Sequence, residues 1–396
     1  MKDVSKIPVR LLAATPRGDI DLGKRRGATT VLPAGPQSAE GESALRYGPY
    51  LGAVRNLLLR DNGKKILAVL ARRLGRFVAL EELDGIEIRT EKHGACYHVA
   101  RADVSVSGER ISFAVNVAVS DTARVELERD FRLLRRLTNR DNYTFLPQVY
   151  FKGAGMYREP GTPLRWLHMF VAEWFWDYHE FHLHRDQADG SNRMLLWDQD
   201  RGSRYLSEHQ CVDLYRLGAK ILTLYYNWNN FKQIYPWHHA AGDFVLRERE
   251  DTVDLRLVTV RDYTAVVDFT THKKAGKLFA LTLFFLHLTI QMRIDRLDGV
   301  GDVVWADDFC LEGVVLGFFE GLAEGEGGSR KGMPSPFEIH ALLRHFTDQE
   351  WLQFLVELLE TCNYSREELS LIRDHGDAHI ERLQQVLAMV ASDRIT

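Results

Sequence analysis

Along this chain of 396 residues the spacing of apolar positions changes twice. It is helical at first: Ile66, Val69, Leu70 and Leu74 share one face, Gly75 stops the run, and Leu51 to Leu59 forms a shorter helix before it. From Gly85 the period becomes two. Ile86 and Ile88 alternate in a first strand, Tyr97 to Val106 forms a second, and Ile111 to Val119 a third. Lys92-His93-Gly94 and Ser107-Gly108-Glu109-Arg110 are the turns, so the pattern predicts an antiparallel meander. Asp121 or Thr122 caps a helix over 125–137, and strands are expected at Phe145–Phe151 and Leu167–Ala172.

After this β-β-β-α-β-β order the pattern is almost wholly helical. Ser207 and Gln210 form a capping box for a helix reaching about Asn227. A hairpin is expected from Phe244–Arg247, a turn at Glu248–Thr252, and Val253–Val260. Helices are predicted over 277–295, 309–322, 336–345, 348–359 and 365–390, with a Gly/Ser-rich loop at 325–332. The fold class is therefore α+β, divided into an arm (1–43), a helical extension (44–84), a sheet lobe (85–173) and a helical lobe (174–396). Residues 1–43, rich in Gly, Pro and Ser, read as a mobile or loosely docked arm.

Composition narrows the class only slightly. The apolar fraction of 45% excludes general disorder, and a net charge of -4 gives no reason to expect nucleic acid or an anionic membrane as partner. Cys96, Cys211, Cys310 and Cys362 form no CxxC pair and read as free thiols. The most apolar run, Leu278–Ile290, falls short of the roughly 20 residues a membrane span needs. The N-terminus has no apolar leader, so a cytoplasmic location is expected.

Candidate chemistry gathers on two short motifs. In His238-His239-Ala-Ala-Gly242-Asp243 a glycine precedes an acid at the start of an apolar strand. In Val260-Arg-Asp262-Tyr263 an acid follows the next strand. The order of elements over about 85–320, with these motifs, resembles the protein-kinase-like superfamily in its aminoglycoside and choline kinase branch. The resemblance implies a two-lobe fold and an ATP-dependent phosphotransferase whose acceptor is a small-molecule hydroxyl. It makes Asp243 and Asp262 the ligands of a nucleotide-bound Mg2+, with Asp268 a rival for the second role.

The sequence departs from the family at several points. His238 stands where the family has its catalytic Asp, so His238 or His239 would take the acceptor's proton. Asn116 replaces the strand lysine, Lys92 and Gly94 in the first turn would contact phosphates, and the helix acid is Glu128 or Asp130. Glu173 opens the linker position, where aromatics could stack on adenine, although Trp174 and Phe175 read as packing.

Each residue also has a plainer reading: Asp243 and Asp262 as turn acids, the histidines as core residues, Lys92 as a solvated turn residue. A nucleotide-binding scaffold without catalysis is thus a second expectation. A divalent-metal hydrolase using His179, Glu180, His182 and His184 with His238 and His239 is a third. His375-Gly-Asp-Ala-His379 mimics a kinase loop but continues at helical spacing and reads as helix.

Overall fold

Alternating segments pair into one sheet because each presents a continuous apolar face every second residue. The computed structural model describes residues 4–15, 18–23, 30–32, 45–94, 97–139, 143–198, 201–238, 242–266, 276–325 and 330–390. The chain is α+β and divides into two compact units: Met1–Thr138 with Pro147–Trp176, and Asn139–Leu146 with Asp177–Thr396.

In unit 1 the elements are β1 (Val9–Ala13), β2 (Ile20–Asp21), α1 (Tyr47–Leu58), α2 (Arg60–Leu74), β3 (Leu83–His93), β4 (His98–Val106), β5 (Glu109–Ala118), α3 (Asp121–Thr138), β6 (Val149–Tyr157) and β7 (Arg165–Glu173). The sheet order is β2-β1-β3-β4-β5-β7-β6. Ser107 and Gly108, both at positive φ, make the tight turn between β4 and β5. Ile86, Ala102, Val115 and Met169 turn one face of the sheet to Tyr50, Leu57, Ile66 and Leu70 of α1 and α2. Phe170 turns to the opposite face, its ring 5.6 Å from Phe131 of α3.

Two expectations change here. Part of the arm over 1–43 is structured: β1 pairs in parallel with β3, Val9 opposite Ile86. The helical extension shares one apolar core with the sheet rather than standing apart from it. A Cβ on Gly155 of β6 would lie 1.9 Å from the Ala53 carbonyl oxygen, so glycine is what lets α1 lie on the sheet.

Unit 2 contains β8 (Glu180–Arg185), β9 (Asn192–Trp197), β10 (Arg204–Tyr205), α4 (Glu208–Leu224), β11 (Lys232–Ile234), β12 (Phe244–Arg249), β13 (Thr252–Leu257), β14 (Tyr263–Ala265), α5 (Lys277–Gln291), β15 (Ile294–Arg296), β16 (Val303–Trp305), α6 (Phe309–Glu324), α7 (Pro336–His345), α8 (Asp348–Thr361) and α9 (Arg366–Met389). The predicted cap is present: Ser207 accepts the Gln210 N–H and Gln210 accepts the Ser207 N–H.

The sheet β10-β9-β8 and the short strands β11, β14, β15 and β16 correct the expectation that, apart from one hairpin, the chain after residue 173 is almost wholly helical, and α5 ends at Gln291, short of the expected 295. The stretch 375–379 is helical, as expected, within α9. No described helix is long and apolar enough to cross a membrane. Cys211, Cys310 and Cys362 are buried free thiols, while Cys96 lies outside the described residues.

Candidate functional site

Two small ladders in unit 2 hold the loop that carries the acidic motifs. β11 pairs with β14, Ile234 opposite Tyr263, and β12 pairs with β13 in a hairpin between them. The hairpin is tighter than expected: the strands run to Arg249 and from Thr252, and the second ends at Leu257. Asp262 therefore does not close the hairpin strand. It stands beyond it, at the entrance to β14.

Both acids are fastened to the segment entering the loop. Asp243 is buried, and its Oδ2 accepts the His238 N–H at 2.9 Å. Its carbonyl accepts the Val258 N–H at 2.8 Å. The Asp262 carbonyl accepts the Tyr235 N–H at 3.2 Å, and its Oδ1 accepts the Tyr263 N–H at 2.7 Å. The Tyr263 hydroxyl donates to the Tyr225 carbonyl at 2.9 Å, anchoring β14 to the end of α4. The two acids are thus both tied to the segment 235–238.

Arg261, which the sequence reading quoted without assigning a role, donates through Nη2 to Asp243 Oδ1 at 2.8 Å. A guanidinium so placed already neutralises this carboxylate. Asp243 is thus in part a structural tie, whereas no ion pair of Asp262 is seen among the described residues. Burial pushes the His238 imidazole below its ordinary pKa, against the opposing pull of Asp243, so the ring is neutral and can accept a proton. Trp237 beside it is buried edge-on to Phe244. His239 and Asp268 lie outside the described residues.

In unit 1, Lys92 and Asn116 fall in one cross-strand row. The registers run Lys92–Val99–Asn116–Phe170–Lys152 across β3, β4, β5, β7 and β6. Directly paired residues share a face, and Phe170 places this one toward α3. Lys92 and Asn116 are two strands apart, roughly 10 Å. Lys92 lies within the strand rather than in the turn, and Gly94 follows β3 with its Cα close to the Tyr97 carbonyl.

The helix acid resolves into two roles. Asp130 is buried and accepts the Tyr97 hydroxyl at 2.5 Å. Glu128 pairs with Lys152 of β6, a residue the sequence reading missed. The lysine partner of the helix acid thus comes from two strands beyond Asn116 in the sheet order, and only the pairing register could reveal it. Glu173 accepts the Gln148 N–H and pairs with Arg73 of α2 at 3.3 Å. Trp174 and Trp176 lie over the Arg101 guanidinium, at 5.6 and 5.9 Å.

The histidine-rich segment is strand β8. His184 Nδ1 meets Asp298 Oδ1 at 2.6 Å, and His179 stands 3.4 Å from Asp177. His182 is buried against the Trp197 ring, 4.2 Å between centroids. Among the described residues, no group of three or more His, Cys, Asp or Glu side chains is placed to hold a metal ion. The metal-hydrolase expectation gains no support from them.

No known family profile matches the chain. Over 101 residues it is 30% identical to "Sodium-dependent nutrient amino acid transporter 1" of Drosophila persimilis, and 29% identical to the protein of that name from Drosophila pseudoobscura pseudoobscura. Each match takes in 24% of this chain and only 15% of the relative's length. Among solved structures, a provisionally named fructosamine-3-kinase of Haemophilus somnus 129PT matches with a TM-score of 0.24 and 9% identity. That match covers 86% of this chain and 98% of the other.

Proposed function

We propose that this chain is a divergent member of the protein-kinase-like superfamily, in its small-molecule branch. On this reading it is a cytoplasmic phosphotransferase that uses ATP with Mg2+ on a small-molecule hydroxyl. The observation that supports it best is that Asp243 and Asp262 are both bonded to the segment 235–238, through the His238 and Tyr235 N–H groups. In unit 1, the antiparallel order β3-β4-β5-β7-β6 with α3 after the third strand supports the same reading.

Asp262, with Asp243, would hold the magnesium that neutralises developing phosphate charge. Lys92 and Asn116 would contact the phosphates. The neutral His238 would accept the acceptor's hydroxyl proton as that oxygen bonds to the γ-phosphorus and ADP leaves with the broken bond's electrons. The partners are a nucleotide and a small acceptor, with no part for nucleic acid or membrane.

A second reading, a nucleotide-binding scaffold without catalysis, is favoured by one observation. The Arg261 guanidinium on Asp243 occupies part of the coordination a metal would use.

Thermal unfolding with ATP, with and without Mg2+, separates the readings. Saturation at about 100 times Kd contributes about 2.7 kcal/mol, so a phosphotransferase should show a magnesium-dependent rise in Tm. It should also transfer phosphate to a hydroxyl acceptor, with transfer lost in Asp262→Asn and His238→Gln. A shift that ignores magnesium, with no transfer, assigns the scaffold role. Absence of a shift with every nucleotide removes both readings.

A further inference from the structure

Within unit 2 lies a small cavity. It is lined by Tyr226 at the end of α4, Gln233 of β11 and His287 of α5, with Phe231, Phe284 and Leu358 among its apolar walls. Three polar atoms of these residues are buried without a hydrogen-bond partner: Tyr226 Oη, Gln233 Oε1 and His287 Nε2. All three residues are at least nine-tenths buried. Buried polar atoms are ordinarily paired, because an unpaired one keeps its full desolvation cost. Three such atoms on residues that line one cavity, none with a partner among the described residues, point to an occupant that satisfies them.

The chemistry of the three atoms limits the occupant. Gln233 Oε1 only accepts, so the occupant must donate. Tyr226 Oη can donate or accept. His287 Nδ1 is engaged with the Tyr364 hydroxyl at 2.8 Å, which leaves Nε2 as the unpaired ring nitrogen. Burial lowers the His287 pKa to about 4, so the ring is neutral. The named lining residues carry no charge to match an ion. The space open to water centres is about 10 Å³, enough for about one water-sized group. We propose that this cavity is a binding site for a single neutral hydroxyl group, held by Tyr226 Oη, Gln233 Oε1 and His287 Nε2.

The hydroxyl belongs either to a trapped water or to the tip of a small neutral alcohol. Its place matters because Gln233 stands in the strand that leads into the loop, and the Tyr235 ring meets the His287 ring edge-on at 5.0 Å. The occupant would therefore stiffen the segment Gln233–Tyr235 that leads toward the two acids, whether or not the chain transfers phosphate.

The test reads the sign of a stability change in the full chain. Gln233→Met and Tyr226→Phe keep the shape and remove one partner each; Phe at 226 retains the stacking on Phe284, 4.5 Å between ring centroids. If a hydroxyl is bound, each substitution should lower Tm by about 2–4 °C. If the cavity is dry, each removes an orphan and Tm should stay level or rise, which overturns the proposal.

The two sources are separated on the wild-type chain, so the test survives a variant that fails to fold. A saturable shift of the His287 ring resonance with ethylene glycol identifies an alcohol site. A long-lived water in oxygen-17 relaxation dispersion, lost in Gln233→Met, identifies water. Neither signal in the wild type refutes the site.

Discussion

Among the described residues, unit 1 joins its strands in one seven-stranded sheet, whereas unit 2 has four small sheets of two or three strands among its helices. The difference shows in what each leaves for function. In the unit 1 sheet, charged side chains are engaged with one another: Asp103 with Arg101 and Ser112, Glu91 with Arg89 and Arg101, Glu128 with Lys152. In unit 2 the short ladders β11-β14 and β12-β13 carry two acids held mainly by backbone N–H groups, with Arg261 as the ion-pair partner of Asp243. Long ladders fix a scaffold, and short ladders present loops that can carry chemistry.

Both units nevertheless use one device, glycine at a close backbone crossing. In unit 1 it is Gly155 against α1. In unit 2 it is α6, where a Cβ on Gly313, Gly317 or Gly321 would come within 2.3, 1.9 and 2.8 Å of carbonyl oxygens of α4. Backbone cannot give way as a side-chain tip can. Gly317→Ala and Gly155→Ala should each cost about 3 kcal/mol. Hydrogen exchange should place the loss in α4 and α6 for the first and in α1 and β6 for the second. A loss below about 0.5 kcal/mol in either variant would show that the crossing has slack and that the units differ after all in how tightly they pack.

A pH series sharpens the contrast at the next level. His98 in unit 1 and His287 in unit 2 are each held near pKa 4 by burial, and His379 near 3. These depressed values mean that the unfolded chain takes up protons first, between about pH 6.5 and 4, so the stability they contribute is lost as pH falls. Asp295 in unit 2 has the opposite sign. Burial raises it to about 7, so the folded state keeps a proton that the unfolded state has released, and stability is lost as pH rises from about 4 to 7. Each group contributes a slope of about 1.4 kcal/mol per pH unit. Asp295→Asn should steepen the acid loss in unit 2 by about that amount and leave unit 1 unchanged. Equal slopes in wild type and variant, measured by denaturant unfolding from pH 4 to 7, would contradict the assignment.

What could be read from the sequence follows the same division. The strands of unit 1 were visible because β3 to β5 are long enough to show period two, and the helices of unit 2 because their apolar faces recur regularly. β11, β14, β15 and β16 have three residues each, too few for any period to register. β1 was hidden because its partner β3 lies far along the chain. The two loop acids were legible from Gly242-Asp243 and Arg261-Asp262, but the Arg261–Asp243 ion pair and the Glu128–Lys152 pair depend on register and contact, which no local pattern encodes. The glycine spacing of four in α6 is visible in the sequence, while the helix that fills it is not.

Helix caps give the finest test: at α4 the local rule and the structure agree, whereas at α3 it is Ser120, not the expected Asp121 or Thr122, that accepts the Ala123 N–H at 3.1 Å, because the helix starts at Asp121. Among its described residues unit 2 contains four capping boxes, at Ser207, Ser335, Thr347 and Ser365, each joining the cap to the third helical residue. Ser207 differs in position. It opens α4, the helix that α6 crosses and whose following residue, Tyr225, receives the Tyr263 hydroxyl. Ser207→Ala removes the acceptor for the Gln210 N–H and should cost about 1 kcal/mol. If α4 is held chiefly by its crossing with α6, the loss should remain local, raising hydrogen exchange in the first turn of α4 without changing that of β14. Faster exchange in β14 would instead show that the helix start and the loop framework form one cooperative piece. The short ladders would then be no more independent than the long one.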